Sequence, residues 1–449
     1  MHTSSTPALR RCLGAALAVA VALLPAHSLA GGFQLNEMGP KFLGTALAGT
    51  AAVADDATTG FFNVAGLTRI KYGSIVGTAS GVLLNLNVTA DSATTLDGTV
   101  PVTGPNGSLE SDGSRYVWVP AGHVAQRITD DLVGYLGVTA PFGLVTDYPD
   151  TGVTRYVATL SQVTTINVNP GLAMSLKRWI PGLSIGAGFN AQYARAHLNR
   201  NLLFGAPPDV IVQVAGEDWA FGWNAGILYE FDEHARIGLS YRSQTSHKLS
   251  GFVQAISTGT GATIFRGGAT AGATFPDLLT LSGYWEPMPG ALPGFALLAD
   301  FLWARWSRFQ VLKLNFTGVP LPNTQQRFDF RDSYRGSLGF QYKFTDRATF
   351  RFGSGFDGSP VSDANRTLQL PDANRVLLGV GFGYELAEGL IFDLGYLHLF
   401  VSNGHINQTN ESADRSNFTG HTDSSTDVIG GQMTWNYDTF PPRLPFIGS

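Results

Sequence analysis

The residues most able to do chemistry in this chain are its histidines, its single cysteine and one glycine-rich segment. Metal centres need several ligands at short, matched spacings, whereas the histidines after residue 30 are scattered, at positions 123, 197, 234, 247, 398, 405 and 421. Gly379–Gly383 has the sequence GVGFG, but it lies inside a predicted strand and lacks the strand-to-helix context of a nucleotide-binding loop. The sequence therefore predicts no enzyme activity, no cofactor and no metal site, and these glycines are expected to face a lumen.

Residues 1–30 have the features of a cleaved signal peptide. A pair of arginines precedes a long apolar run, and small residues end at Ala30, as a cleavage site requires. We expect the mature protein to begin at Gly31 and to be exported. Cys12 is removed with this segment, so no disulfide, thiol nucleophile or cysteine-based metal site is expected.

The composition points to a protein embedded in lipid. The 449 residues contain 29 basic and 34 acidic side chains, and loss of the two signal-peptide arginines changes the formal charge from −5 to −7. Nucleic acid is a poor partner for such a surface. Only 14% of residues are charged, 11% are aromatic and 54 are glycine. No uncharged apolar run of about 18 residues follows the signal, so helical spans are excluded and a closed barrel remains.

Several segments alternate with a period of two, which is typical of membrane strands. Trp219, Phe221 and Trp223 share one face, and Ala220 and Gly222 share the other. Strands of a soluble β-sandwich alternate equally well. The glycine-rich, sparsely charged polar faces and the aromatics near strand ends favour the all-β transmembrane barrel.

Connections between these segments alternate between short turns and long polar stretches, which is the outer-membrane pattern. The long stretches include Asn85–Asp112 and Leu249–Gly261, which we expect to be external loops. Counting hairpins predicts about fourteen antiparallel strands over residues 71–440, with the last strand ending at Phe440. Residues 441–449 would form a C-terminal extension.

Residues 31–70 do not fit the strand pattern. Small residues such as Gly44 and Gly49 allow close backbone packing, but the segment is too short and too poor in bulky apolar side chains to fold alone. It is expected to form a plug, or hatch, inside the barrel.

In residue order and spacing, Gly32–Glu37, Ala54–Ala57 and Asn63–Ala65 resemble the N-terminal hatch of the outer-membrane long-chain fatty-acid transporters, the FadL/TodX family. Further matches are spread over the mature chain: Gly188–Arg195, Trp219–Glu230, Tyr241–Ser243, Arg331–Arg335 and Phe356–Pro360. The resemblance implies a monomeric barrel in the bacterial outer membrane, surrounded by lipid and lipopolysaccharide. It also implies passive, ligand-gated uptake of long-chain fatty acids or related hydrophobic molecules.

Two alternatives stay open at this point. One is a channel for aromatic or alkane hydrocarbons. The other is a surface adhesin or structural barrel whose plug only blocks the lumen.

The resemblance also implies substrate-binding residues. Basic positions near a ligand carboxylate fall at Arg200 and Arg331, although both could instead belong to a lumenal ion network with Asp329 or Asp332. In the hatch, Phe33 and Leu35 would contact the end of the ligand. Apolar residues of the neighbouring loop that would contribute are Leu202 and Phe204.

Gating residues are implied in the same way. The family has Asn-Pro-Ala in its hatch, and this chain has Asn63, Val64 and Ala65; valine lacks the ring that fixes φ, so the restraint is loosened here. Gly143 falls on the third strand, where the family has an inward kink that opens the barrel wall sideways. A glycine in a strand is as often a simple bulge.

Overall fold

The first and last strands of this chain pair with each other, from Gly73 opposite Tyr437 to Thr94 opposite Asn417, and so close the sheet into a barrel. A computed structural model describes residues 31–203, 209–409 and 415–438. The signal peptide, Phe204, Phe440 and the C-terminal extension lie outside the described residues. All pairings between consecutive strands are antiparallel.

Fourteen strands form the wall, as the hairpin count predicts, and several of them are interrupted by a few residues. In chain order they are β1 (Gly73–Thr95), β2 (Arg115–Arg127), β3 (Leu132–Thr139 and Gly143–Asp147), β4 (Leu160–Ser175), β5 (Leu183–Leu202), β6 (Val210–Asp232), β7 (Ala235–Arg242 and Thr245–Ser257), β8 (Thr263–Phe275 and Leu278–Trp285), β9 (Phe295–Ala304 and Val311–Thr317), β10 (Thr324–Arg327 and Ser333–Lys343), β11 (Ala348–Asp357), β12 (Arg375–Ala387), β13 (Leu390–Val401 and Gly404–Thr409) and β14 (Asn417–Tyr437). The first outer loop adds two short strands, Val100–Pro101 and Glu110–Asp112.

The period-two alternation divides the wall as predicted. Trp219, Phe221 and Trp223 point outward and are 53–63% exposed, whereas Ala220 and Asn224 are buried on the lumen side. An outward apolar face exposed to this extent matches a wall that contacts hydrocarbon.

Two predicted loops are shorter than expected, because the strands continue into them. β1 runs on to Thr95 within Asn85–Asp112, and β7 runs on to Ser257 within Leu249–Gly261. Polar composition marks contact with water, but it does not end the hydrogen-bond ladder, and both strands stay paired within these polar stretches.

The hatch fills the end of the barrel that carries the short turns. It contains two 3-10 helices and one short α-helix: Pro40–Thr45, Val64–Arg69 and Thr59–Phe62. Elsewhere, 3-10 turns occur at Pro105–Gly107, Trp306–Arg308 and Asp363–Asn365. None of the described helices is long and apolar enough to cross a membrane.

Buried ions bind the hatch to itself and to the wall. Lys41 pairs with Asp55 and, at 2.6 Å, with Asp56. From the wall, Arg236 donates to the carbonyl oxygens of Ala52 at 2.6 Å and Val53 at 2.8 Å. A buried charge is tolerated only when paired and hydrogen-bonded in this way.

Lumen-facing glycines let the hatch backbone lie directly against the wall. The predicted lumenal orientation of Gly379–Gly383 is confirmed: a β-carbon at Gly379 would overlap the carbonyl oxygen of Leu43. Gly353 and Gly395 meet hatch carbonyl oxygens in the same manner. These contacts require the absence of a side chain rather than an unusual backbone conformation.

This packing predicts that Gly379→Ala destabilises the folded barrel by about 1–3 kcal/mol, since overpacking forces the hatch backbone to shift. The matched control is Gly77→Ala on β1, where an added β-carbon meets nothing within 4 Å. The measurement is the heat-induced loss of the folded band in semi-native electrophoresis. Equal heat stability of the two variants would contradict the proposed close fit.

Candidate functional site

The third strand is broken, and the hatch pairs with the break. β3 stops at Thr139 and resumes at Gly143. In between, the amide of Leu35 donates to the carbonyl oxygen of Pro141 at 2.9 Å, and the amide of Gly143 donates to that of Phe33 at 3.0 Å. The N-terminal end of the hatch thus forms an antiparallel β-bridge with the broken part of β3, on its lumen side.

Next to this break the barrel wall has a gap. β2 pairs with β1 along its whole length, from Arg115 to Gln126, but it pairs with β3 only from Gly122 onward. Both parts of β3 pair with β4 on the other side. Among the described strand pairs, none joins the outer half of β2 to the outer part of β3.

A cavity of about 770 Å³, here called the lateral cavity, lies at this gap. Its lining includes the outward side chains of Trp118, Val138 and Ile166, which are 62%, 45% and 46% exposed. It also includes Leu86 and Val428, which are buried on the lumen side. Because residues from both faces of the sheet line it, the lateral cavity runs through the wall.

A second cavity of about 180 Å³, here called the outer cavity, lies among the long outer parts of β4–β10. Most of its lining is apolar, including five phenylalanines and nine leucines. Its polar lining comprises Arg195, Asn199, Arg200 and Gln369 together with Ser161, Thr324, Gln325 and Gln326, and no Asp or Glu is among the described residues that line it. The cavity is therefore apolar with a cationic, amide-rich rim.

Phe33 lines both cavities. Its ring is packed edge-on against Trp306, with centroids 4.6 Å apart, and against Phe275 at 5.5 Å. Phe142 and Phe309 complete the aromatic surroundings at 6.2 and 5.9 Å. Edge-on aromatic pairs of this kind add stability beyond the buried area, and they hold Phe33 at the boundary.

Charged groups lie at the hatch side of the lateral cavity. Glu37, Asp372 and Arg375 line it. The Asp372 carboxylate accepts from the amide of Gly32 at 3.1 Å and from the hydroxyl of Ser359 at 2.8 Å. Burial raises the pKa of both Glu37 and Asp372 above the usual carboxyl range, although nearby Arg375 lowers both pKa values in part.

The structure brings most of the predicted binding residues to these cavities. Arg200 and Leu202 line the outer cavity, Leu35 lines the lateral cavity, and Phe33 lines both. The Arg200 guanidinium also donates to the carbonyl oxygen of Tyr156 at 3.4 Å. Phe204 lies outside the described residues.

Arg331 is exposed and is absent from the lining of either cavity. Its backbone amide donates to the carbonyl oxygen of Pro360 at 2.9 Å. The other arginine of the outer cavity is Arg195, whose Nε donates to His197 at 2.8 Å. Sequence analysis did not single out Arg195 as a ligand-binding residue.

The predicted gating segment lies away from both linings. The Asn63 side chain donates to the carbonyl oxygens of Ala51 at 2.8 Å and Ile227 at 3.0 Å, and it accepts from the amide of Ala65 at 3.1 Å. Asn63 is thus the N-cap of the Val64–Arg69 helix and also binds the wall. Val64 and Ala65 are fully buried.

Other lining residues carry little sequence signal. Phe275 belongs to β8, Phe309 to the interruption within β9 and Phe328 to the interruption within β10. Only barrel closure brings them together. Alternation along the strand indicates that Phe275 points inward. The sequence gives no such indication for the other two phenylalanines. Distances across the lumen are not encoded in local spacing.

Comparison with known proteins gives a family assignment. The family model described as "Outer membrane protein transport protein (OMPP1/FadL/TodX)" matches residues 21–437. The long-chain fatty acid transport protein of Salmonella typhi is 32% identical over 426 residues, covering 88% of this chain and 93% of the relative. That of Escherichia coli (strain K12) is 32% identical over 438 residues, with the same coverage.

Solved structures agree on the fold. A Pseudomonas aeruginosa FadL homologue superposes with a TM-score of 0.80 at 21% identity, covering 90% of this chain and 100% of the other. The Pseudomonas putida toluene transporter TodX superposes with a TM-score of 0.64 at 14% identity, covering 92% and 100%. The chain is therefore an outer-membrane β-barrel that belongs to the OMPP1/FadL/TodX family, whose members are transport proteins and not enzymes.

Proposed function

We propose that this protein mediates passive, ligand-gated uptake of long-chain fatty acids or related hydrophobic molecules across the outer membrane, acting as a monomer. The carrying observation is a pair of apolar cavities, one beneath the outer loops and one through the wall, that meet at Phe33. Relatives 32% identical to this chain are named long-chain fatty acid transport proteins, which supports the same substrate class.

The lining of the outer cavity suits an amphipathic acid. Each methylene of an acyl chain gains about 0.8 kcal/mol on leaving water for an apolar site. Arg200 lies in this lining and offers planar N–H donors that match a carboxylate. We therefore assign the carboxylate end to Arg200 and the chain end to the phenylalanines around Phe33.

The lateral cavity offers an exit into lipid. A hydrophobic ligand that leaves through the wall gap keeps its methylenes in apolar surroundings, whereas an exit through the hatch would expose them to water. The outward residues Trp118, Val138 and Ile166 stand at the lipid end of this route.

Size supports gating. Ligand pockets usually measure about 300–1,000 Å³, and the outer cavity measures about 180 Å³. A long acyl chain fits only if Phe33, at the inner end of the outer cavity, moves. Ligand binding shifts Phe33 only if the ligand binds more tightly to the conformation in which Phe33 is displaced.

Aromatic hydrocarbons are the second candidate substrate class. Phe275, Phe309, Phe316 and Phe328 line the outer cavity and suit edge-on contact with a ring. Such a ligand carries no charge, so Arg200 distinguishes the two classes.

Arg200→Met should raise the Kd for a long-chain fatty acid about tenfold or more, since a hydrogen bond to a charged group contributes about 1.5–3 kcal/mol. Binding of an alkane of similar length should not change. The matched control is Arg327→Met, which removes an exposed arginine paired with Asp329 outside both linings. Arg331→Met, measured alone, should account for little of the loss. Unchanged binding of the acid by Arg200→Met would remove the carboxylate role.

Gly143→Val should lower uptake of a hydrophobic ligand several-fold while a heat-stable barrel still assembles. A β-carbon at Gly143 presses on Leu35 at 2.8 Å, and a valine favours extended backbone. The backbone of a straightened β3, released from its hydrogen bonds to the hatch, can pair with the unpaired edge of β2. This pairing closes the gap. Gly272→Val, where an added β-carbon meets nothing within 4 Å, is the control. Normal uptake by a folded Gly143→Val protein would argue for exit through the hatch.

Val64→Pro should stabilise the hatch by about 0.4–1 kcal/mol by restricting the unfolded chain. Val64 is the first residue of its helix, where the amide has no acceptor within the helix, and Asn63 before it is extended with φ −155° and ψ 101°. Hydrogen exchange of the hatch amides should slow, and the fold should remain intact. Faster exchange in the proline variant would refute the idea that valine loosens this segment.

A further inference from the structure

Four apolar side chains line both cavities and therefore form the partition between them: Phe33, Leu144, Val163 and Leu370. All four belong to one packed cluster. Phe33 and Leu144 lie on a single hydrogen-bonded unit, because the amide of Gly143 donates to the carbonyl oxygen of Phe33. Leu370 comes from a different part of the chain.

Leu370 lies in the connection between β11 and β12, in a segment here called the strap (Asp363–Asp372). The strap is closed on itself by Arg366, which is buried. Its guanidinium donates to the Asp363 carboxylate at 2.6 Å and to the carbonyl oxygen of Asp372 at 2.9 Å. The sequence Asp-Ala-Asn-Arg occurs at both ends of the strap, and Arg366 and Arg375 are the arginines of its two copies.

The strap is also tied to separate parts of the wall and outer loops. Arg366 donates to the carbonyl oxygen of His405 at 2.9 Å. The amide of Leu368 donates to the Gln408 side chain at 2.9 Å, and the Tyr148 hydroxyl donates to the carbonyl oxygen of Leu368 at 3.1 Å. The Gln369 side chain donates to the carbonyl oxygen of Val157 at 3.0 Å.

None of these anchors involves the hatch, although Asp372 at the end of the strap also accepts from the amide of Gly32. By contrast, the segment around Phe33 is held by two backbone hydrogen bonds at the break in β3, by the bond from Gly32 to Asp372 and by ring contacts of Phe33. Elements held by few hydrogen bonds open at lower free-energy cost than elements held by many. The partition thus has one movable side and one fixed side.

We propose that Leu370 is the fixed side of the gate against which Phe33 closes, and that its size sets which hydrophobic molecules pass from the outer cavity to the lateral cavity. This inference rests on the proposed uptake function. It assigns a gating and specificity role to a residue of the outer connection, whose composition alone indicates only turns.

The test compares Leu370→Ala with Leu368→Ala in the full-length protein. Both positions are buried leucines of the same strap, but Leu368 lines neither cavity. Leu370→Ala should speed release of bound hexadecanoate about tenfold, which corresponds to a barrier lowered by about 1.4 kcal/mol. Leu368→Ala should keep the wild-type release rate, although both variants lose heat stability. Leu370→Phe should slow release.

Release is measured by stopped flow, and heat stability is measured in parallel by semi-native electrophoresis. If Leu370→Ala and Leu368→Ala change release equally, the gate assignment is overturned. If wild type binds toluene but no hexadecanoate, the fatty-acid assignment fails, and the same variants measured with toluene decide the role of Leu370. Binding of neither molecule by wild type would overturn both the uptake function and the gate.

Discussion

Hydrocarbon offers no hydrogen-bond partner to a peptide group, so the wall of a membrane barrel must pair its own backbone or have it paired from within. This constraint governs the gap in the present structure. The outer part of β3 leaves β2, and the backbone that would otherwise be unpaired at the bend bonds to the hatch instead, between Leu35 and Pro141 and between Phe33 and Gly143. The opening in the wall and the docked position of the hatch are therefore one arrangement.

The hatch is held unequally along its length. Its base is fixed by the Lys41 ion pairs, by Asn63 and by backbone contact with wall glycines such as Gly379. Its N-terminal end is held by the two bonds at the bend, by the contact of Gly32 with Asp372 and by the rings around Phe33. Conformational change is least costly at the end that separates the two cavities, which is where the proposed gating needs it.

Much of the architecture follows from local pattern. Alternation around Trp219 predicts which residues face lipid, and the glycines at Gly379–Gly383 are predicted to face the lumen. Strand ends are predicted less well, because the polar stretch Asn85–Asp112 marks the level of water and not the end of pairing in β1. A ladder ends where its partner ends, and the partner of β1 is β14, more than 300 positions away in the chain.

The sequence by itself determined the export signal, the strand number, the plug and the family, since each depends on composition, period or order along the chain. The site was decided by tertiary structure. Arg200 and Arg331 are equivalent as sequence candidates, but only Arg200 lines a cavity, and Leu370 gains its place at the partition from a strap anchored to distant strands. Register and barrel closure set distances across the lumen, and no local spacing encodes them.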